Sequence, residues 1–331
     1  MNKILYCPES KYNKNERIKK MFLCISKWIR SKEITDLIKL FGGNEVEEAE
    51  KLNDLEYIHW LHRFVKVWDY RKKQANMGER WNVYDEDDVI KNEHKILNAA
   101  EALGMININE TNIKPDFILP LGGARMTNFD RPNMTKYIID RYSWTDKQIV
   151  ALSGNRSLNE IEYPYIRKYA YSAETEYEAM NSGLEKVFSL NNRFTEKKVF
   201  DDNPNLCACI RKYDEKYKNS CIYSVAAPSS EPEKRRANSY DTFIYFLKKF
   251  DVKKEDRILL VTSSIYVPFQ LLLFMDLAIE YGFEVDCIGS DMVVQGNKLS
   301  KSSNYLQEIK STIDVIYKLS NKYYDVVSGG N

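Results

Sequence analysis

Pro115-Asp116-Phe117-Ile118-Leu119-Pro120-Leu121-Gly122-Gly123-Ala124-Arg125 is a short apolar run that stops at a glycine pair. It reads as a buried strand ending in a loop, since a brief apolar run bounded by glycine suits a strand better than a helix. Glycine accepts positive φ and lets an anion or another backbone come close, so the pair marks a ligand loop. Asp130 and Pro132 read as the cap and first turn of a helix, carried on by Met134, Tyr137, Ile138 and Tyr142. In open α/β sheets, ligands bind outside the carboxyl ends of strands, where this loop would lie.

Outward from this stretch, further short apolar runs at Gln148 to Leu152, Cys221 to Ala226, Arg257 to Thr262 and Glu284 to Ile288 read as strands buried on both faces. Helical patterns lie near Asn133 to Tyr142, Glu174 to Phe188, Tyr240 to Phe250 and Pro268 to Tyr281, with a last helix around Tyr305 to Leu319. Strands alternating with helices predict a mainly parallel, doubly wound α/β sheet. The polar stretch from Asn191 to Asn219 reads as a surface insertion.

Upstream the periodicity is helical. Stripes at Ile18 to Ile29, Ile34 to Phe41, Leu55 to Trp68 and Val89 to Leu103 predict a helical subdomain over residues 1–110, ahead of an α/β domain over residues 111–331. His59 and His62 stand three apart on one such helix without a third metal ligand nearby, and read as packing or surface residues. Asp85-Glu86-Asp87-Asp88 suits the first turn of a helix.

The 331 residues carry a formal net charge of +1, with 44% hydrophobic and 29% charged residues. This balance is that of an ordinary globular chain and offers no electrostatic footprint for nucleic acid or a membrane surface. Cys7, Cys24, Cys207, Cys209, Cys221 and Cys287 follow no disulfide framework or zinc spacing, so a reducing, cytoplasmic compartment is expected. No signal peptide and no membrane span is expected.

Four loops would meet at the carboxyl edge of such a sheet. The first is Gly122-Gly123-Ala124-Arg125, which is neither a dinucleotide fingerprint nor a P-loop. The second, Ser153-Gly154-Asn155-Arg156, repeats the small residue, glycine and arginine. Arg125 and Arg156 would together favour an anionic ligand. The third, Ser172 to Ala179, opens a helix with Ser172 as cap, and Glu176 is its candidate base or ribose acceptor. The fourth joins Asn238-Ser239-Tyr240-Asp241-Thr242 to the strand end Thr262-Ser263-Ser264-Ile265-Tyr266 before Pro268, where hydroxyls and free N–H groups suit an anion.

In this order the motifs resemble the YdcF, SanA and ElyC family over about residues 115–291, leaving the helical third outside the match. The resemblance implies a Rossmann-like fold, a polar pocket, and an adenosyl-type cofactor or envelope-precursor chemistry. It places the family's glycine loop on Gly122 and Gly123, its Ser-Gly on Ser153 and Gly154, its acid on Glu176, and its Asn-Thr-x-Glu-Asn pattern on Asn238 to Thr242. The family histidine after Val261-Thr262-Ser263 is missing, and no histidine follows His94, so either the step is lost or its role falls to Tyr266, Glu176 or Asp241. The expected function is therefore binding of a small anionic, nucleotide-like ligand, with transferase or hydrolase action on a phosphorylated or nucleotide substrate. The alternative is a ligand-sensing protein without catalysis, or a module whose helical part, with exposed Trp60, Trp68 and Trp81, binds a partner, either a second copy of the chain or another protein.

Overall fold

The structure is a computed structural model that describes residues 4–73, 83–291 and 300–329; Trp81 lies outside them. The chain begins with α1 (Lys14–Ile29), α2 (Lys32–Leu40), α3 (Val46–Ala49), α4 (Asp54–Phe64), α5 (Tyr70–Lys73), α6 (Asp87–Lys91) and α7 (Glu93–Ala102). There follow β1 (Phe117–Pro120), α8 (Thr127–Arg141), β2 (Gln148–Gly154), α9 (Tyr163–Ile166) and α10 (Glu176–Phe188). Next come β3 (Phe194–Val199), β4 (Ala208–Tyr217), β5 (Ser220–Ala227), α11 (Ser239–Lys249) and β6 (Arg257–Ser263). The chain closes with α12 (Val267–Tyr281), β7 (Glu284–Ser290), α13 (Ser302–Lys322) and α14 (Tyr324–Ser328). Two compact units result, one of Met1–Ile108, Ser264–Glu284 and Lys298–Asn331, the other of Asn109–Ser263 and Val285–Asn297.

The first unit is helical. On α1, Ile18, Met21, Ile25, Trp28 and Ile29 form the buried stripe, and an Asn13–Glu16 capping box fixes the start of the helix. Arg17 is buried and donates to the carbonyls of Ala278 (2.9 Å) and Phe283 (2.6 Å), satisfying groups at the carboxyl end of α12. Residues Ser264–Tyr281 are long and apolar enough to cross a membrane, yet 61% of that window is buried as in a core helix, consistent with the expected lack of a span. Trp68 is fully buried, not exposed, between Phe41 and Phe64, and Trp60 is half-buried on Tyr57. His62 stacks on Tyr317 and His59 meets the same ring edge-on.

The second unit holds an α/β fold around a seven-stranded, mostly parallel sheet of order β3-β4-β5-β2-β1-β6-β7. The strands β1, β2, β5 and β6 run parallel, and β4 is antiparallel to both β3 and β5. Register aligns Leu259, Ile118, Ile149 and Ile222 in one row across the sheet. That row packs with Ile138 of α8 and with Met180 and Leu184 of α10 in one core. Residues of opposite parity face the other way: Phe117 meets Phe246 of α11 and Tyr223 meets Phe250. Helices therefore cover both faces.

One expectation gains detail and another needs correction. Residues 191–219, read as a polar surface stretch, lie at the exposed edge of the sheet, where they form the hairpin of β3 and β4 that the reading did not foresee. Helix α8 begins at Thr127 with Met126 as its cap, so Asp130 and Pro132 lie inside it. Pro132 cannot donate to the Asn128 carbonyl. That carbonyl faces Gly183 of α10, where a Cβ would come within 1.9 Å of it. Gly183→Ala should therefore force α8 and α10 apart and cost about 3 kcal/mol, the upper end of overpacking penalties. A denaturant midpoint unchanged from wild type would refute this packing.

Candidate functional site

From β1 the chain winds to β2 and β5 on one side and returns to β6 on the other, so the direction of winding reverses between β1 and β6. Arg131 of α8 is buried and reaches back to this place. Its Nη1 donates to the carbonyls of Leu121 (2.7 Å) and Gly122 (2.5 Å), and its Nη2 donates to Ser263 Oγ at 3.2 Å. The Asn128 side chain accepts the Gly123 N–H (3.0 Å) and donates to the Gly123 carbonyl (2.8 Å), while Thr127 Oγ1 donates to the Ala124 carbonyl (2.7 Å). A Cβ on Gly123 would lie 2.7 Å from Thr127 Oγ1. The loop turns at Arg125, whose φ is +56°.

Glu176, the first residue of α10, closes the other side of the loop. A Cβ on Gly122 would lie 2.4 Å from its Oε1, so glycine is what lets this carboxylate approach. Oε1 accepts the Gly154 N–H at 3.1 Å and Oε2 accepts from Arg156 Nε at 2.6 Å. The two terminal nitrogens of Arg156 meet both oxygens of Glu162 at 2.7 Å, a bidentate pair, and Glu162 is fully buried. Burial works against the Arg156 charge, but Glu162 and Glu176 outweigh it and hold the guanidinium above its ordinary pKa. Burial likewise works against ionised Glu162, and Arg156 outweighs it, holding that carboxyl below its ordinary range. The Arg156 donors are thus met from within. Helix α10 is capped by a Thr175–Glu178 box, so Thr175, not Ser172, is its cap.

The segment around α9 lies against the same loop. Tyr169 Oη donates to the Arg125 carbonyl at 3.0 Å, and the Arg125 guanidinium stands 4.9 Å over the Tyr165 ring. Beside them, Asp130 keeps a buried Oδ1 with no hydrogen-bond partner. Burial pushes its carboxyl up to about 7, only partly opposed by Arg131.

The remaining sequence-selected residues are placed as follows. Ser153 is buried and its Oγ donates to the Val225 carbonyl at 3.3 Å. Asn238 caps α11 in a box with Asp241, and Arg235 pairs with both Asp241 oxygens. Burial opposes the Asp241 charge, but Arg235 outweighs it and keeps the carboxyl below its usual range. Thr262 is fully buried with an unpartnered Oγ1, and its parity on β6 is opposite to that of Ser263. Tyr266 falls in the 3-10 turn Ser264–Tyr266 of the first unit. Among the described residues, no cluster of three or more histidine, cysteine or acidic side chains could hold a metal.

Ser263 and Gly122 are thus joined by Arg131, and Gly154 and Arg156 by Glu176, which also stands against Gly122, while Gly123 is held by Asn128 and Arg125 by Tyr169 and Tyr165. Sequence reading missed Arg131, Glu162 and Asp130. The only local signal was Asn159-x-x-Glu162, whose capping-box spacing marks a turn but does not reveal the pairing with Arg156.

Residues 13–104 match a family model described as the Rv3785 N-terminal domain. The chain is 25% identical over 317 residues to the uncharacterized proteins Rv3785 of Mycobacterium tuberculosis and Mb3814 of Mycobacterium bovis, covering 87% of this chain and 86% of each relative. No solved structure matches. These matches overturn the resemblance to the YdcF, SanA and ElyC family: the matched family is another one, and it begins in the helical third which that resemblance left out. Short glycine, serine and acidic motifs recur at strand ends of many parallel sheets, so their order alone was a weak guide.

Two outcomes follow from the site. Glu162→Gln leaves Arg156 buried against one carboxylate and should cost about 3 kcal/mol in urea unfolding, as breaking a buried pair does; a loss under about 0.5 kcal/mol would sink the network. Asp130 has its folded pKa raised from 3.8 to about 7, so the native state binds the extra proton between those values. Its contribution is therefore most favourable at acid pH and is lost as pH rises through about 7. Asp130→Asn should gain roughly 1–3 kcal/mol relative to wild type between pH 5 and pH 8, after allowance for solvent screening. A stability difference that stays flat across that range would contradict the shift.

Proposed function

We propose that the second unit binds a small anionic, nucleotide-like ligand at the carboxyl edge of its sheet, on a Rossmann-like, doubly wound scaffold in the cytoplasm. The observation that carries this reading is the clamp of Arg131 across Leu121, Gly122 and Ser263, where the winding of the sheet reverses. A glycine loop held from behind leaves its front to a ligand, with two arginines, Arg125 and Arg131, to favour negative charge. Glu176, set against Gly122 and Gly154, is the group suited to accept ribose-type hydroxyls. The ligand class is a phosphorylated or nucleotide compound, adenosyl cofactors included, and the matching reactions are group transfer or hydrolysis.

A second reading, ligand sensing without turnover, draws on a specific observation. Both acids selected as bases, Glu176 and Asp241, have oxygens engaged by arginine, and the chain has no histidine after His94. Thermal-shift measurements with nucleotides, nucleotide sugars and adenosyl compounds test the binding itself, because a ligand selective for the native state raises its stability. The expected result is a clear rise in Tm for one class, abolished in Arg125→Ala while the unliganded Tm is kept. Equal shifts in variant and wild type would remove the anion site from this loop. With a ligand in hand, Glu176→Gln separates the readings: turnover lost with binding kept marks an enzyme, and absence of turnover in both proteins marks a sensor.

A further inference from the structure

Asp130 is the one acid at the β1 loop whose side chain the rest of the site leaves unanswered. It stands on α8 immediately before Arg131, yet the donors of Arg131 turn to the Leu121 and Gly122 carbonyls and the Ser263 hydroxyl. Oδ1 is shut from water without a hydrogen-bond partner. Phe129 and Tyr169, 5.3 Å apart between ring centroids, belong to the apolar wall on this side of α8. Arg131 is the charge that acts on Asp130 from its own helix. Tyr169 faces it from the segment after α9 and also feels Glu162 and Glu176, which Arg156 holds. Tyr169 in turn donates to the carbonyl of Arg125, so the acid is one side chain removed from the ligand loop.

We propose that Asp130 is the proton-exchanging group of this loop: an anion settling beside Arg125 and Arg131 drives its carboxylate to take up a proton, so that occupancy of the site is linked to pH. The inference rests on the anion-site reading above. Two like charges in one half-buried place cannot both stay ionised cheaply, and the group that yields is the carboxylate with no compensating hydrogen bond. Glu162 cannot yield as easily, since Arg156 pairs with both its oxygens and holds its carboxyl below the ordinary range. Binding then tightens as pH falls from 8 to 6, the range in which Asp130 changes charge.

Inorganic sulfate is the probe, because it does not titrate in this range. Its affinity for the full chain is read from the amide resonances of Gly122 and Gly123 at pH 6 and pH 8, at constant ionic strength. The expected result is binding about tenfold weaker at pH 8 in wild type, and a change under about twofold in Asp130→Asn. The Asp130 carboxyl carbon provides a second measurement that needs no variant, and its titration midpoint should move up when sulfate is added. Sulfate binding that is independent of pH would overturn the inference while leaving the anion site intact. A pH dependence that persists in Asp130→Asn would overturn it too, since the proton would then be exchanged by another group. No sulfate binding at either pH would overturn the anion site and the inference with it.

Discussion

Arg156 satisfies two buried carboxylates at once, and the candidate site depends on that arrangement. Its bidentate grip on Glu162 fixes the guanidinium plane, which leaves Nε aimed at Glu176. Glu176 is thereby held against Gly122 and Gly154, joining the ends of β1 and β2 through one side chain. The Glu176 N–H also donates to the Arg156 carbonyl at 3.0 Å, so the backbone repeats the side-chain link. One cation between two acids carries a net negative charge, which an anion would avoid. The favourable ground lies toward Arg125 and Arg131, on the other flank of the glycine pair.

Arg131 does a different job with the same chemistry. Strand ends leave carbonyls without partners, and a buried carbonyl must find a donor. By meeting those of Leu121 and Gly122 and the Ser263 hydroxyl, Arg131 ties β1 to β6 where the sheet winding reverses. The charge that would attract a ligand is thus also a structural plug, unlike that of Arg125, whose guanidinium stacks on Tyr165 while its carbonyl accepts from Tyr169.

The five apolar strands were legible because burial on both faces leaves runs such as Phe117 to Pro120 with no polar residue. The hairpin β3 and β4 was not, because an exposed edge allows Thr195, Glu196, Lys197 and Lys198 in sequence. The start of α8 was misplaced for a related reason: Asp130 and Pro132 are good starting residues, and nothing local tells that Thr127 and Asn128 spend their side chains on the loop before them. Glycines and arginines of the site could be named in advance, but their partners could not. Arg156 meets Glu176 across 20 positions and Arg131 meets Ser263 across 132, distances over which a single sequence carries no pairing signal.

The edge strand β3 has a consequence for how the sheet ends. It offers an open row of backbone donors and acceptors, which is the template on which sheets grow between molecules. In a two-fold antiparallel pairing some residue must face its own copy, and a centre at Lys197 or Lys198 sets ammonium against ammonium. A centre at Glu196 sets carboxylate against carboxylate. The charges that hid this strand from sequence reading are the same ones that disfavour those three registers of pairing with its own copy.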